Sequence, residues 1–500
     1  MHSERRSGLL LHVTALPGPD GIGTFGEGAR AFVDFLADCG GAVWQVCPLG
    51  PTEGVHGHSP YSSPSAFAGN PLLVALDPLV EAGWLDAAAF DARPLGDRHR
   101  VRFDAVREFK RARLEAAFEG FRETATATVR DAFEGFRERE AAWLADYTLY
   151  VALKAEFDGD PWTEWPAPLR DREAEALAAA RERHDATLDR HAFVQWLFDR
   201  QWRALHDYAA ERGVEVAGDM PLYVAADGAD VWANRETFDV GPDGRPAAVA
   251  GVPPDMGDLG QRWGNPLYDW DHLRETGFAW WRRRFDRMYD LFDVVRLDHF
   301  KGFEQFWAIP AAADSPTEGE WREAAGHDLF AAVREDQGGL AAIAEDLGHV
   351  TEGMEDLRTG FYLPGMRVPQ YADWCAEHHM YKPRDYPADV VAYTGSHDTD
   401  TVVGWYDGLD ERQRECLHYA LETDGSDVHW SMLEAVWRSD ARLAVAPVQD
   451  LLGLDSHARF NTPGTTDGNW DWRVSREALD DGLAAEVRAL TERTDRTRGD

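Results

Sequence analysis

Three short apolar runs in the second half of the chain each end in acids, and this recurrence restricts the fold more than any other feature. Asp293-Val294-Val295 leads into Arg296-Leu297-Asp298-His299. Leu340 to Ala344 leads into Glu345-Asp346. Val390 to Tyr393 leads into a polar stretch containing His397, Asp398 and Asp400. Short apolar runs rich in β-branched residues read as buried strands. Carboxylates repeated at strand ends are hard to explain as packing, because a buried ionised group is costly without a partner. In a (β/α)8 barrel all strand C-termini converge on one face, where catalytic groups sit. The predicted fold class is therefore α/β, a (β/α)8 TIM barrel with helical and loop insertions between strands.

Gly8 to Val13, Val43 to Leu49, Val214 to Asp219 and Leu443 to Val448 supply four more strands. Residues 1–500 are expected to form a single catalytic barrel, since such barrels tolerate long insertions. Residues 86–210, rich in Ala, Glu and Arg, read as a mostly helical insertion between the second and third strands. Residues 220–275 read as a loop-rich, substrate-binding insertion after the third strand. Ala117 to Glu123 (Ala-Phe-Glu-Gly-Phe-Arg-Glu) recurs as Ala132 to Glu138. Two copies do not make a solenoid, so they read as two similar amphipathic helices. Helical structure is expected around Phe306 and over residues 319–336.

Strand alternation places Val294, Arg296 and Asp298 on one face, and the guanidinium favours the charged form of Asp298. A structural Arg–Asp pair is the alternative for that stretch taken alone. Converging carboxylates suit glycosidic chemistry, which needs one ionised nucleophile and one protonated acid. His299 and His397 are either donors to sugar hydroxyls or structural histidines. No H-E-x-x-H or EF-hand pattern is present, so no metal and no cofactor are expected.

Arg296-Leu297-Asp298-His299-Phe300, Ala344-Glu345-Asp346-Leu347-Gly348 and Tyr393-Thr394-Gly395-Ser396-His397-Asp398 resemble the three catalytic motifs of the 4-α-glucanotransferases, glycoside hydrolase family 77. The resemblance implies that Asp298 is the nucleophile, Glu345 the general acid/base and Asp398 the transition-state stabiliser. It runs from about residue 8 to residue 473. It includes Leu9-Leu10-Leu11-His12, the Ser59 to Pro71 loop, Gly218-Asp219-Met220-Pro221, Gly260 to Tyr268, Asn461 to Thr465 and Asn469-Trp470. It implies that Ser59, Tyr61, Asp219, Arg296, His299, His397, Trp263 and Asn469 form or line the sugar site. Met256-Gly257 depart from it, standing where many members carry two aromatic residues, and acceptor choice is expected to depend on that loop. The expected activity is retaining transfer of an α-1,4-glucan segment to the 4-hydroxyl of an acceptor such as glucose. Rival readings are an amylase-type hydrolase using the same trio, and a catalytically dead glucan-binding protein.

The chain carries a net charge of −38, with lysine only at positions 110, 154, 301 and 382. So acidic a surface disfavours nucleic acid and anionic membranes as partners. It suggests adaptation to molar salt, where self-repulsion is screened within about 3 Å. Cys39, Cys47, Cys375 and Cys416 show no CxxC or metal-ligand spacing and are expected to be reduced, buried thiols. Arg5-Arg6 precede an apolar run too short for a signal sequence. No run is long enough to span a membrane. A cytoplasmic location, and a monomer or weak homodimer, are the expectations.

Overall fold

A computed structural model describes residues 4–90, 93, 98–254, 259–348 and 350–497. Among these residues twelve strands follow in chain order: β1 (Arg6–Leu10), β2 (Val43–Gln45), β3 (Glu215–Met220), β4 (Ala248–Val252), β5 (Gln261–Pro266), β6 (Val294–Leu297), β7 (Gln305–Pro310), β8 (Glu320–Glu323), β9 (Ala342–Ala344), β10 (Gly365–Arg367), β11 (Val390–Tyr393) and β12 (Leu443–Pro447). Eight of them close a barrel in the order β1-β2-β3-β6-β9-β10-β11-β12, and β12 returns to β1. Every pairing in the barrel is parallel.

The two-residue period of a strand sorts the side chains. Leu10, Val43, Ala217, Ile343, Met366, Val391 and Val445 meet one another inside the barrel. Their sequence neighbours Leu9, Trp44, Val216, Ala342, Ala344 and Ala444 belong to the larger core between strands and helices. Continuing the inner row by two residues from Ala217 gives Asp219, and from Ile343 gives Glu345. Continuing it from Val294 gives Arg296 and then Asp298. The alternation that fills the barrel thus delivers the acids to its C-terminal mouth.

Seven barrel strands match the runs expected from sequence, and the eighth, β10, was not anticipated. Its three residues Gly-Met-Arg carry too little apolar signal to stand out. Two further expectations are corrected. The stretch around Phe306 is not helical but forms β7, and residues 320–323 form β8; the helix there, Gly326–Gln337, begins later. Phe306 and Ala308 turn into the core, while Trp307 pairs across to Trp321, which is a period of two rather than 3.6. Strands β7 and β8 join β4 and β5 in an antiparallel sheet of order β5-β4-β7-β8. The loop-rich 220–275 stretch therefore contributes the antiparallel pair β4 and β5 to a small second sheet at the mouth of the barrel.

Between β2 and β3 run the helices Phe103–Thr124, Ala127–Arg139, Ala141–Glu156 and Ala174–Glu211. The sequence repeat has a packing meaning. Phe118 and Phe121 of one copy, and Phe133 of the other, close on Phe193 of the long helix.

The cysteines divide. Cys39 and Cys47 are buried free thiols. Cys375 and Cys416, expected to be reduced and buried, are instead half-buried and joined in a disulfide. The reason is tertiary: the loop after β10 is folded against the helix Glu411–Leu421, bringing the two Cα atoms to 5.1 Å across 41 residues of sequence. Among the described residues no helix is long and apolar enough to cross a membrane.

Candidate active site

Arg296 is the centre of the site. It is enclosed, with 2% of its surface exposed, and a buried charge needs partners. Its Nη1 donates to both oxygens of Asp219, at 2.8 and 2.7 Å, and to Oδ1 of Asp298 at 3.0 Å. Its Nη2 lies 3.3 Å from Oε2 of Glu345. One cation thus holds three carboxylates supplied by β3, β6 and β9. Arg296 and Asp219 are both buried, and their bonds to one another and that of Arg296 to Asp298 hold the acids in place.

Glu345 is pushed up to about 7. Burial is the largest cause, and the charges of Asp298 and Asp398 add to it. Arg296 and the backbone N–H of His299 oppose the rise without cancelling it. That N–H donates to Oε2 of Glu345 at 2.5 Å. His299 aims it there by adopting a left-handed backbone, φ 48°, a conformation uncommon outside glycine. Its imidazole is buried and held near 4 by that burial, so it is neutral at pH 7. Among the described residues its Nε2 is buried and has no hydrogen-bond partner.

Asp398 behaves oppositely. Burial alone would raise it, but His397, Asn461 and Arg296 outweigh burial and bring it to about 2. His397 Nε2 sits 3.1 Å from Oδ2, and Asn461 Nδ2 donates to Oδ1 at 2.5 Å. Arg459 donates to the Asp398 carbonyl at 2.7 Å. Environments that drive neighbouring carboxyls apart mark acid and base roles.

Tyr61 donates to Asp219 Oδ2 at 2.8 Å and stacks on His397, the ring centroids 4.9 Å apart. Ser59 accepts from the Tyr61 backbone N–H at 3.3 Å, so its observed contact is with Tyr61. Trp263 on β5 is 37% exposed and meets His299 edge-on at 4.9 Å. Asn469 faces its own turn, accepting from Thr462 and donating to Thr465; it shapes the segment that carries Asn461. Met256 and Gly257 lie outside the described residues.

Sequence reasoning passed over Asn461, Arg459 and Tyr371. Asn461 lies in a recognised motif, yet only folding shows its contact with Asp398. Tyr371 is half-exposed and lies in the field of Asp398 and Glu345; burial and those charges push its hydroxyl up.

A sequence model of the 4-alpha-glucanotransferase family matches residues 11–479. A 4-alpha-glucanotransferase of Thermus thermophilus is 46% identical over 99% of this chain and 100% of its own length. One from Synechocystis is 42% identical over 98% of each. Among solved structures, amylomaltase from Streptococcus agalactiae in complex with acarbose superposes with a TM-score of 0.95 at 35% identity, covering 99% of this chain and 100% of that one. With the barrel, the three carboxylates and this full-length likeness in agreement, the chain belongs to the 4-alpha-glucanotransferase family.

Proposed function

We propose that this enzyme moves a segment of an α-1,4-glucan to the 4-hydroxyl of glucose or a maltooligosaccharide, by double displacement at Asp298. The observation that carries the reading is the sharing of Arg296 among Asp219, Asp298 and Glu345, with Glu345 near 7 and Asp398 near 2. A site so charged holds a proton on Glu345 up to neutral pH while Asp398 stays ionised.

Asp298 attacks the anomeric carbon as Glu345 gives its proton to the departing glycosidic oxygen. The C–O bond to the leaving glucan breaks, and a β-linked glycosyl ester forms on Asp298. Asp398, with each oxygen already held by an N–H donor, accepts from ring hydroxyls and stabilises the oxocarbenium-like charge. Glu345, now a carboxylate, takes the proton of the incoming 4-hydroxyl. Attack from the opposite face releases Asp298 and restores the α configuration. Trp263 offers an exposed ring face beside His299, on which a pyranose can stack.

Transfer and hydrolysis differ only in the second nucleophile, so acceptor binding and water exclusion decide between them. The test is incubation with maltotriose, counting glucose, longer oligosaccharides and total reducing ends. Transfer gives glucose and a ladder of longer products at constant reducing ends. Rising reducing ends without a ladder would assign hydrolysis, and no reaction would restore the binding-protein reading.

A further inference from the structure

The loop after β10 and the helices that follow Asp398 form a small core of their own beside the catalytic face. Trp374, Val402, Leu417, Val428 and Met432 pack together there, apart from the main core. This layer reaches the active site at two points. Gln370 donates through Nε2 to the carbonyls of Thr394 and Asp400, at 3.3 and 2.8 Å, on either side of Asp398. Tyr371, the next residue, stands half-exposed in the field of Asp398 and Glu345.

Beyond Tyr371 the loop is pinned at its far end, where Tyr381, Lys382 and Tyr386 are buried, and is more open in between. Trp374 is buried, but Glu377, His378 and Met380 are exposed. Lys382 ties the loop only to itself, donating to the carbonyls of Trp374 and Ala376. The direct covalent link from this loop to the surrounding helices is the bond from Cys375 to Cys416 on the helix Glu411–Leu421.

Resting on the transferase reading above, we propose that the Cys375–Cys416 disulfide is a positioning element of the active site, holding the Tyr371 side of the cleft against Asp398 so that a sugar acceptor is favoured over water. Cutting it releases the constraint on the segment between Cys375 and Cys416, which contains Asp398 itself. The loop keeps Trp374 but loses its fixed distance from the helices, and water gains access to the glycosyl ester. A dithiol performs the cut: its thiolate attacks one sulfur, the S–S bond breaks, and two electrons pass to the protein. Cys375 and Cys416 emerge as thiols, and the dithiol as a cyclic disulfide.

The experiment uses the full-length protein and maltotriose, with and without dithiothreitol. Thiols are counted in denaturant in parallel. Two thiols, Cys39 and Cys47, are expected before reduction and four after. The ratio of hydrolysis to transfer is expected to rise about threefold or more on reduction and to return on reoxidation. A Cys375→Ala/Cys416→Ala enzyme should show the raised ratio without reductant and ignore dithiothreitol. Four thiols before reduction overturn the proposal, and so does a ladder and ratio that reduction leaves unchanged. An untreated enzyme that forms no ladder contradicts the transferase reading and this proposal with it; an unchanged ladder contradicts this proposal alone.

Discussion

Replacing Glu345 by Gln should stabilise the enzyme at alkaline pH and barely at acid pH. Glu345 binds its proton up to about pH 7 in the folded chain, against 4.5 for an ordinary glutamate. Its side chain is 21% exposed, so solvent screens it little. Between those two values the folded state holds more protons than the unfolded state. Folding stability therefore falls as pH rises through that window and stays lowered above it. The interval of about 2.5 pH units corresponds to about 3 kcal/mol at 1.36 kcal/mol each. Glutamine cannot ionise and escapes this loss, while its carbonyl still accepts the His299 N–H. The advantage of Glu345→Gln is then about 1 kcal/mol at pH 5 and about 3 kcal/mol at pH 8.5. A chain of this length unfolds with an entropy of about 1 kcal/mol per kelvin, so the midpoint should rise by about 1 °C and about 3 °C respectively. Thermal melts of both proteins at the two pH values make the comparison. An equal shift at both, or none at pH 8.5, would refute the placement of the proton on Glu345.

Three further outcomes follow, two from the site and one from the surface charge. Asp298→Asn should lower turnover by about a thousandfold or more while calorimetry still shows maltooligosaccharide binding; activity above that level argues against covalent catalysis there. Asn461→Ala removes one of the two side-chain donors that hold Asp398 at about 2. The acid limb of kcat/KM should move to higher pH and kcat should fall about tenfold, and an unmoved limb would contradict that role. Lys110 and Lys382 are buried, and Lys154 and Lys301 expose only 15% and 10% of their side chains, so the acidic surface has almost no lysine facing it. Dialysis from molar KCl into dilute buffer should lower the melting midpoint and the activity, because screening of the −38 charge is lost; unchanged values would end the salt-adaptation reading.

What could be read from the sequence followed the two-residue period. Asp219, Asp298 and Glu345 each extend a buried apolar run by the step that keeps them inside the barrel, so their convergence is legible in the sequence. Arg296 was legible as a partner of Asp298. Its hold on Asp219 and Glu345 was not, since those bonds cross between strands up to 77 residues apart. The helix expected around Phe306 failed because aromatic and apolar residues crowd β7, and the partners that define it lie on β4 and β8. Strand β10 was too short to register. The Cys375–Cys416 bond and the Asn461 contact with Asp398 depend on loops brought together by the whole barrel, and local spacing carries no trace of either.

The central claim is that a glycosyl group rests covalently on Asp298. The direct test is mass spectrometry of the Glu345→Gln enzyme after mixing with α-maltosyl fluoride. Fluoride leaves without acid assistance, whereas the second step still lacks its base, so the intermediate should accumulate. The account predicts a maltosyl adduct on the intact protein, located by proteolysis to Asp298 and discharged by azide as the α-glycosyl azide. Rapid fluoride release with no adduct, or an adduct on another residue, would contradict it.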